Sequence, residues 1–216
     1  LQSFGHQRHL LTRKGYGRFA EVPDGWPLAP EVLEGRPRSR YANWSLSPAV
    51  PETYRLNGEL YDEVLPCFSP ELFNADCDET WDLGMGRAGR LCRRKGTGQV
   101  YLEHILKIHR LAARRGKRMM IWGDIVLQHP ELIGKLPRDL VVLDWGYSAR
   151  GYRGRTCRPK VSRDRIARRF AEAGIEFWVC PGTSSWSSVF PRVENACANI
   201  REFAEAGRRS PPAGTR

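Results

Sequence analysis

Two consecutive carboxylates, Asp78 and Glu79, stand just past an apolar run, Leu72-Phe73-Asn74-Ala75, with Asp76 before them and Asp82 after. Taking an ionised carboxylate out of water costs on the order of several kcal/mol unless it is paired or hydrogen-bonded. A chain tolerates that at the end of a core strand where the acids have a task. The cluster alone does not separate this reading from acids that merely solvate a loop. Its companions do. Gly5-His6, Trp122-Gly123-Asp124, Trp145-Gly146-Tyr147 and Ser184-Ser185-Trp186 each fall at or just past the end of another predicted strand. Flat indoles with carboxylates between them suit a sugar ring. Its C–H face packs on the indole while the acids handle the hydroxyls and the glycosidic oxygen.

These residues need elements to hold them. Strands are expected at 1–5, 71–77, 119–125, 140–147 and 175–181. Helices are expected from about 51 to 68, 99 to 116, 129 to 136, 161 to 173 and 192 to 206. The runs at 119–125 and 140–147 are continuously apolar, as befits strands covered on both faces, and Trp178 reads as core. Gly174 ends the fourth helix as a C′ residue. Strand and helix alternate, so the fold class is α/β with a parallel sheet. Functional residues at the C-terminal end of every strand favour a barrel, whose strand ends share one mouth, over an open sheet with one switch point. A full (β/α)8 barrel takes ~250 residues; five predicted strands make this a partial TIM barrel. One domain is expected over 1–207, with a long Gly/Pro/Arg-rich loop at 13–47 and a frayed tail at 208–216. Trp26, Tyr41 and Trp44 in that loop read as anchors slightly better than as site walls.

Composition narrows the function. The net charge is +11, yet the basic runs are short and the arginines at 163–169 lie on a predicted helix face. A solvated face, rather than nucleic-acid binding, is the expectation. No apolar run is long enough to span a membrane. No basic segment leads into an apolar signal core, which favours the cytoplasm, although a start at Leu1 reads as a truncated chain. The six cysteines form no C-x-x-C pair, and His104 and His109 do not share a helix face, so no metal and no cofactor are expected. Gly84-Met85-Gly86-Arg87-Ala88-Gly89 matches G-x-G-x-x-G. A dinucleotide site needs that motif directly after a strand and opening a helix. Here an acidic turn intervenes, and 90–96 reads poorly as a helix.

At Phe73-Asn74-Ala75-Asp76-Cys77-Asp78-Glu79 the sequence resembles the strand-four signature of family 20 glycoside hydrolases, the β-N-acetylhexosaminidases, His-x-Gly-Gly-Asp-Glu. Leu83-Gly84-x-Gly86 and the Trp-Gly-Asp and Trp-Gly-Tyr strand ends are similar to the hexosaminidase D-like branch. Asn74 replaces the family's His, and Asp76-Cys77 its Gly-Gly. The resemblance implies strands three to seven of the barrel and removal of terminal GlcNAc or GalNAc from β-glycosides, with the substrate's own acetamido group as nucleophile. It implies Glu79 as general acid and Asp78 as orienter of the acetamido group. Trp122 and Trp145 would wall the acetamido pocket, and His6, Asp124, Tyr147 and Trp186 would contact substrate. Both acids can serve one site only if the backbone turns at the strand end, since neighbours in a strand face opposite ways. The alternative is an inactive or sugar-binding barrel fragment without turnover.

Overall fold

A computed structural model describes residues 1–150, 163–185 and 189–210. The chain divides into two compact units, Leu1–Ile121 and Trp122–Arg216.

In the first unit, short helices α1 (Arg8–Leu11) and α2 (Pro30–Leu33) lie within an N-terminal region of loops and short 3-10 turns. They precede the long helix α3 (Glu52–Val64), strand β1 (Leu72–Asn74), helices α4 (Gly89–Lys95) and α5 (Thr97–Ala113), and strand β2 (Arg118–Trp122). β1 and β2 pair in parallel, Phe73 opposite Met119. α3 and α5 carry amphipathic spacing, and Leu56, Tyr61, Tyr101, Ile105 and Ile108 are buried. Leu11, Phe19, Ala20, Leu46 and Leu56 form an apolar cluster that fastens the 13–47 segment to α3. Tyr41 is buried and Trp26 lies under the Arg87 guanidinium, as anchors should.

In place of the strand expected at 1–5, residues 3–5 form a buried bend after an exposed Leu1 and Gln2. Ser3 N–H donates to Ala75 O, but Phe4 O accepts from Leu46 N–H, so the pairing with β1 is not extended. α4 corrects the reading of 90–96 as poorly helical. Its last turn holds Arg93, Arg94 and Lys95, cations suited to the negative end of a helix, while Cys92 supplies the buried contact.

In the second unit, α6 (Asp124–Gln128) follows β2 directly, then β3 (Val141–Gly146), α7 (Arg163–Glu172), β4 (Glu176–Pro181) and α8 (Val193–Arg209). β3 and β4 pair in parallel from Val141–Glu176 to Gly146–Pro181. All six residues of β3 are buried, as the apolar run requires. The core reading of Trp178 is overturned: it is 43% exposed and donates to its neighbour Glu176 at 2.9 Å. Strand alternation places Trp178 with Glu176 on the outer face while Phe177 turns inward onto Phe170. α8 runs to Arg209; residues 211–216 of the expected tail lie outside the described residues.

Among the described residues the order of elements is thus α/β with four parallel strands rather than five, each strand followed by helix.

Candidate active site

β1 stops at Asn74, four residues short of Asp78. The side chain of Asn74 accepts the Asp76 N–H at 2.9 Å and turns the chain. Asp76, Cys77 and Glu79 then take left-handed backbone, with φ of 59°, 65° and 49°. His6, on the bend beside β1, does the same at φ 58°. For non-glycine residues such conformations cost on the order of 1–3 kcal/mol each, and they persist only where surrounding bonds hold them. Those bonds are present. Tyr101 Oη donates to Cys77 O at 2.9 Å. Glu79 O accepts from Trp81 N–H and from the Trp44 indole N–H, both at 2.7 Å. Gly5 is required because a Cβ there would run into the carbonyl oxygen of Asp78. The two acids therefore sit on a turned loop, not in a strand, and alternation no longer sends them apart.

Their side chains meet at His6. Its Nε2 lies 3.4 Å from Asp78 Oδ2 and 3.3 Å from Glu79 Oε2, ion-pair distances without in-line hydrogen-bond geometry. Burial alone would lower the imidazole pKa, but the two carboxylates outweigh it and lift it to about 10. At neutral pH the cluster is an imidazolium between two half-buried acids. The donor atoms of these three residues lie within 4.8 Å of one another, close enough for a cation to sit among them. The imidazolium already supplies that positive charge.

Trp44 flanks the cluster, its ring 4.4 Å from that of His6. It stacks on Trp81 at 5.0 Å with the planes 3° apart. The Arg8 guanidinium lies over the Trp44 ring (5.2 Å) and that of Arg40 over the Trp81 ring (3.9 Å). Trp44 thus touches the cluster rather than only anchoring its loop.

Beneath lie two buried acids that sequence reading did not place. Glu21 accepts from Ser47 Oγ (2.5 Å) and from the backbone N–H groups of Gly84 (3.2 Å), Gly86 (3.1 Å) and Ala88 (3.0 and 3.1 Å). Burial pushes its pKa up; these donors pull against that shift. The glycine motif is therefore an anion-binding nest, and the anion is the chain's own carboxylate. Asp82 Oδ2 accepts the Ser45 N–H at 3.0 Å, and Oδ1 has no hydrogen-bond partner among the described residues. Burial holds the Asp82 carboxyl up at about 7, with the nearby Glu21 charge adding to the shift.

In the second unit, β3 delivers Trp145, 7% exposed, with Tyr147 beside it at 5.0 Å between ring centres. Two asparagines of α8 fasten this end. Asn199 donates to Gly146 O and Gly182 O, and Asn195 to Tyr147 O, each at 2.8 Å. Trp122 is the half-buried last residue of β2, and Asp124 the first of α6 rather than part of a strand. β2 ends here because Gly123 packs against Val142 and its N–H donates to Leu143 O, while Asp124 suits the first turn of a helix. Trp186 lies outside the described residues. A hollow of about 620 Å³ between α7 and α8, lined by Asp164, Arg168 and Arg209 among others, holds none of the predicted site residues.

No protein-family model and no curated protein matches this chain. Among solved structures, the chain is similar to a chitobiase from Flavobacterium johnsoniae (FjGH20). The alignment covers 85% of this chain and 25% of the chitobiase, at 17% identity and a TM-score of 0.60. A GH20 exo-β-N-acetylglucosaminidase from Vibrio harveyi, solved as an inactive mutant and with N-acetylglucosamine, aligns with 69% of this chain and 21% of its own. Its TM-scores are 0.47 and 0.45 at 18% and 17% identity. The likeness to the chitobiase is one of fold, and the chain spans about a quarter of that protein.

Proposed function

We propose that the chain is part of the catalytic domain of a retaining exo-β-N-acetylhexosaminidase, which removes terminal GlcNAc or GalNAc from β-glycosides with help from the substrate's acetamido group. One observation carries this reading: His6 Nε2 sits 3.4 and 3.3 Å from the carboxylates of consecutive residues Asp78 and Glu79, on a backbone turned to bring both to one place. The fold shared with part of a chitobiase supports it.

The chemistry follows from the residue types. Glu79, protonated, donates to the glycosidic oxygen as its bond to C1 breaks. The acetamido carbonyl oxygen bonds to C1 in the same step, giving an oxazolinium-like cation. Asp78, ionised, accepts the acetamido N–H, which orients the nucleophilic oxygen and offsets the positive charge. Glu79, now a carboxylate, takes a proton from water as the water oxygen attacks C1 and the acetamido bond breaks, restoring the acid. The His6 imidazolium stabilises the Glu79 anion between these steps and fixes the direction of both carboxylates. Trp122 and Trp145 are the proposed walls for the acetamido group, with Asp124, Tyr147 and Trp186 as hydroxyl contacts.

The test is hydrolysis of a chromogenic β-N-acetylglucosaminide by the chain, by Glu79→Gln and by Asp78→Asn. Loss of turnover in both variants with retained folding is expected; unchanged rates sink the mechanism. A second reading, sugar binding without turnover, draws on the chain's span of a quarter of the chitobiase. N-acetylglucosamine binding by a chain that hydrolyses nothing would favour it.

A further inference from the structure

The glycine motif has a use that the proposed reaction does not absorb. Glu21 is fully buried, and its carboxylate receives three backbone N–H groups from the 84–88 loop and one hydroxyl from Ser47. Its backbone is equally committed. Glu21 N–H donates to Ser45 O at 2.8 Å, and Glu21 O accepts from Arg87 N–H at 3.0 Å. Gly86 is there because Glu21 presses on it: a Cβ at Gly86 would overlap the Glu21 carbonyl. One residue thus joins the 45–47 segment to the loop that begins at Glu79. Between the two joints sit Trp44, whose indole holds Glu79 O, and Asp82, which holds Ser45 N–H.

We propose that Glu21 is a positioning residue: by filling the 84–88 amide nest it fixes the segment carrying Trp44, and through the Trp44 indole N–H it sets the Glu79 carboxylate against His6. The nest binds an anion in place, as such nests bind phosphate elsewhere, but here the anion is a structural part of the acid's mounting. The inference rests on the reading of Glu79 as proton donor only for its catalytic consequence.

A substrate-free measurement tests it. The groups facing His6 are Asp78, Glu79 and the Trp44 ring, with the Arg8 guanidinium over that ring. The His6 imidazole titration, followed by NMR and assigned with His6→Asn, therefore reports where the Glu79 carboxylate stands. In Glu21→Ala the nest is empty, the Trp44 indole no longer fixes Glu79 O, and the His6 midpoint falls by at least about one pH unit, a tenfold loss of proton affinity. Added formate, a carboxylate small enough for the vacated nest, restores the midpoint and raises the melting temperature of Glu21→Ala but not of the parent chain. An unchanged midpoint in folded Glu21→Ala overturns the proposal. So does a fall that formate does not reverse, which would mark a general structural role. If Glu21→Ala does not fold, Trp44→Phe decides. It keeps the ring and deletes the indole N–H, and the same fall is expected; an unchanged midpoint overturns the route. In hydrolysis, kcat of Trp44→Phe falls about tenfold with KM within about twofold, the pattern of a lost transition-state contact. The glycosidase reading fails separately: hydrolysis by Glu79→Gln at the parent rate refutes that reading and leaves the formate titration as it was.

Discussion

The ends of β1 and β3 solve the same local problem in opposite ways. Past β1 the chain twists through three left-handed residues within four positions, and ionisable groups crowd one point. β3 runs extended to Gly146, and its end is stitched by neutral amides from α8, which leave aromatic rings to do the contacting. Strain and charge gather at the end where the proposed reaction would make and break bonds; satisfied hydrogen bonds gather at the end that has only to be held still. The difference teaches that the two ends should respond to mutation in different currencies, rate at one and stability at the other.

The sharpest break in this comparison is Glu79→Gln. Hydrolysis of a chromogenic β-N-acetylglucosaminide should fall by about 10²–10⁴-fold, the usual worth of a positioned proton donor, while the melting temperature holds or rises. A large loss of stability there would erase the contrast. Asn199→Ala should do the reverse. It removes the Asn199 donor from Gly182 O and from Gly146 O, which keeps the Gly182 N–H at 2.8 Å, at about 1–3 kcal/mol in all, and urea denaturation measures it. Gly5→Ala probes the packing behind the strained loop. Its Cβ must displace the Asp78 carbonyl, at a cost of about 1–3 kcal/mol for an overpacked site, and the loss should appear in both melting temperature and rate.

The smallest effects are in pH dependence. Asp82 keeps its proton to about 7 in the folded chain. The unfolded chain releases it near ~3.9. Between those values the folded state holds more protons, so stability falls as pH rises through that window. Asp82→Asn should flatten the fall, seen as a smaller difference in urea midpoint between acid and neutral pH. His6 works in the next window. Its pKa is raised to about 10, so its contribution is full below ~6.5 and drains away as pH climbs through 10. His6→Asn should remove that alkaline loss.

Much of this arrangement was readable from residue types. The 3.6-residue spacing gave α3 and α5, and the unbroken apolar run gave β3. Asp78-Glu79 stood out as a pair whose burial would need a reason. Other parts were not readable, for physical reasons. Trp178 follows the same apolar pattern as its neighbours, and only the pairing of β4 with β3 fixes which face is outer. The turn that lets Asp78 and Glu79 converge is made by left-handed Asp76 and Cys77, residues with no glycine to announce it. Glu21 lies in a segment with no periodicity, 63 residues before the Gly84 amide it binds. Its partner motif looked like a phosphate site because the backbone geometry for binding any anion is the same.

The layered stack of Arg8, Trp44, Trp81 and Arg40 gives the chain an optical property. Two parallel indoles 5.0 Å apart are close enough for their excited states to couple, and a guanidinium lies over each ring. Near-ultraviolet circular dichroism would carry their coupled signal. Because Trp44 grips the Glu79 carbonyl, that band would track the acid's mounting with no label and no substrate.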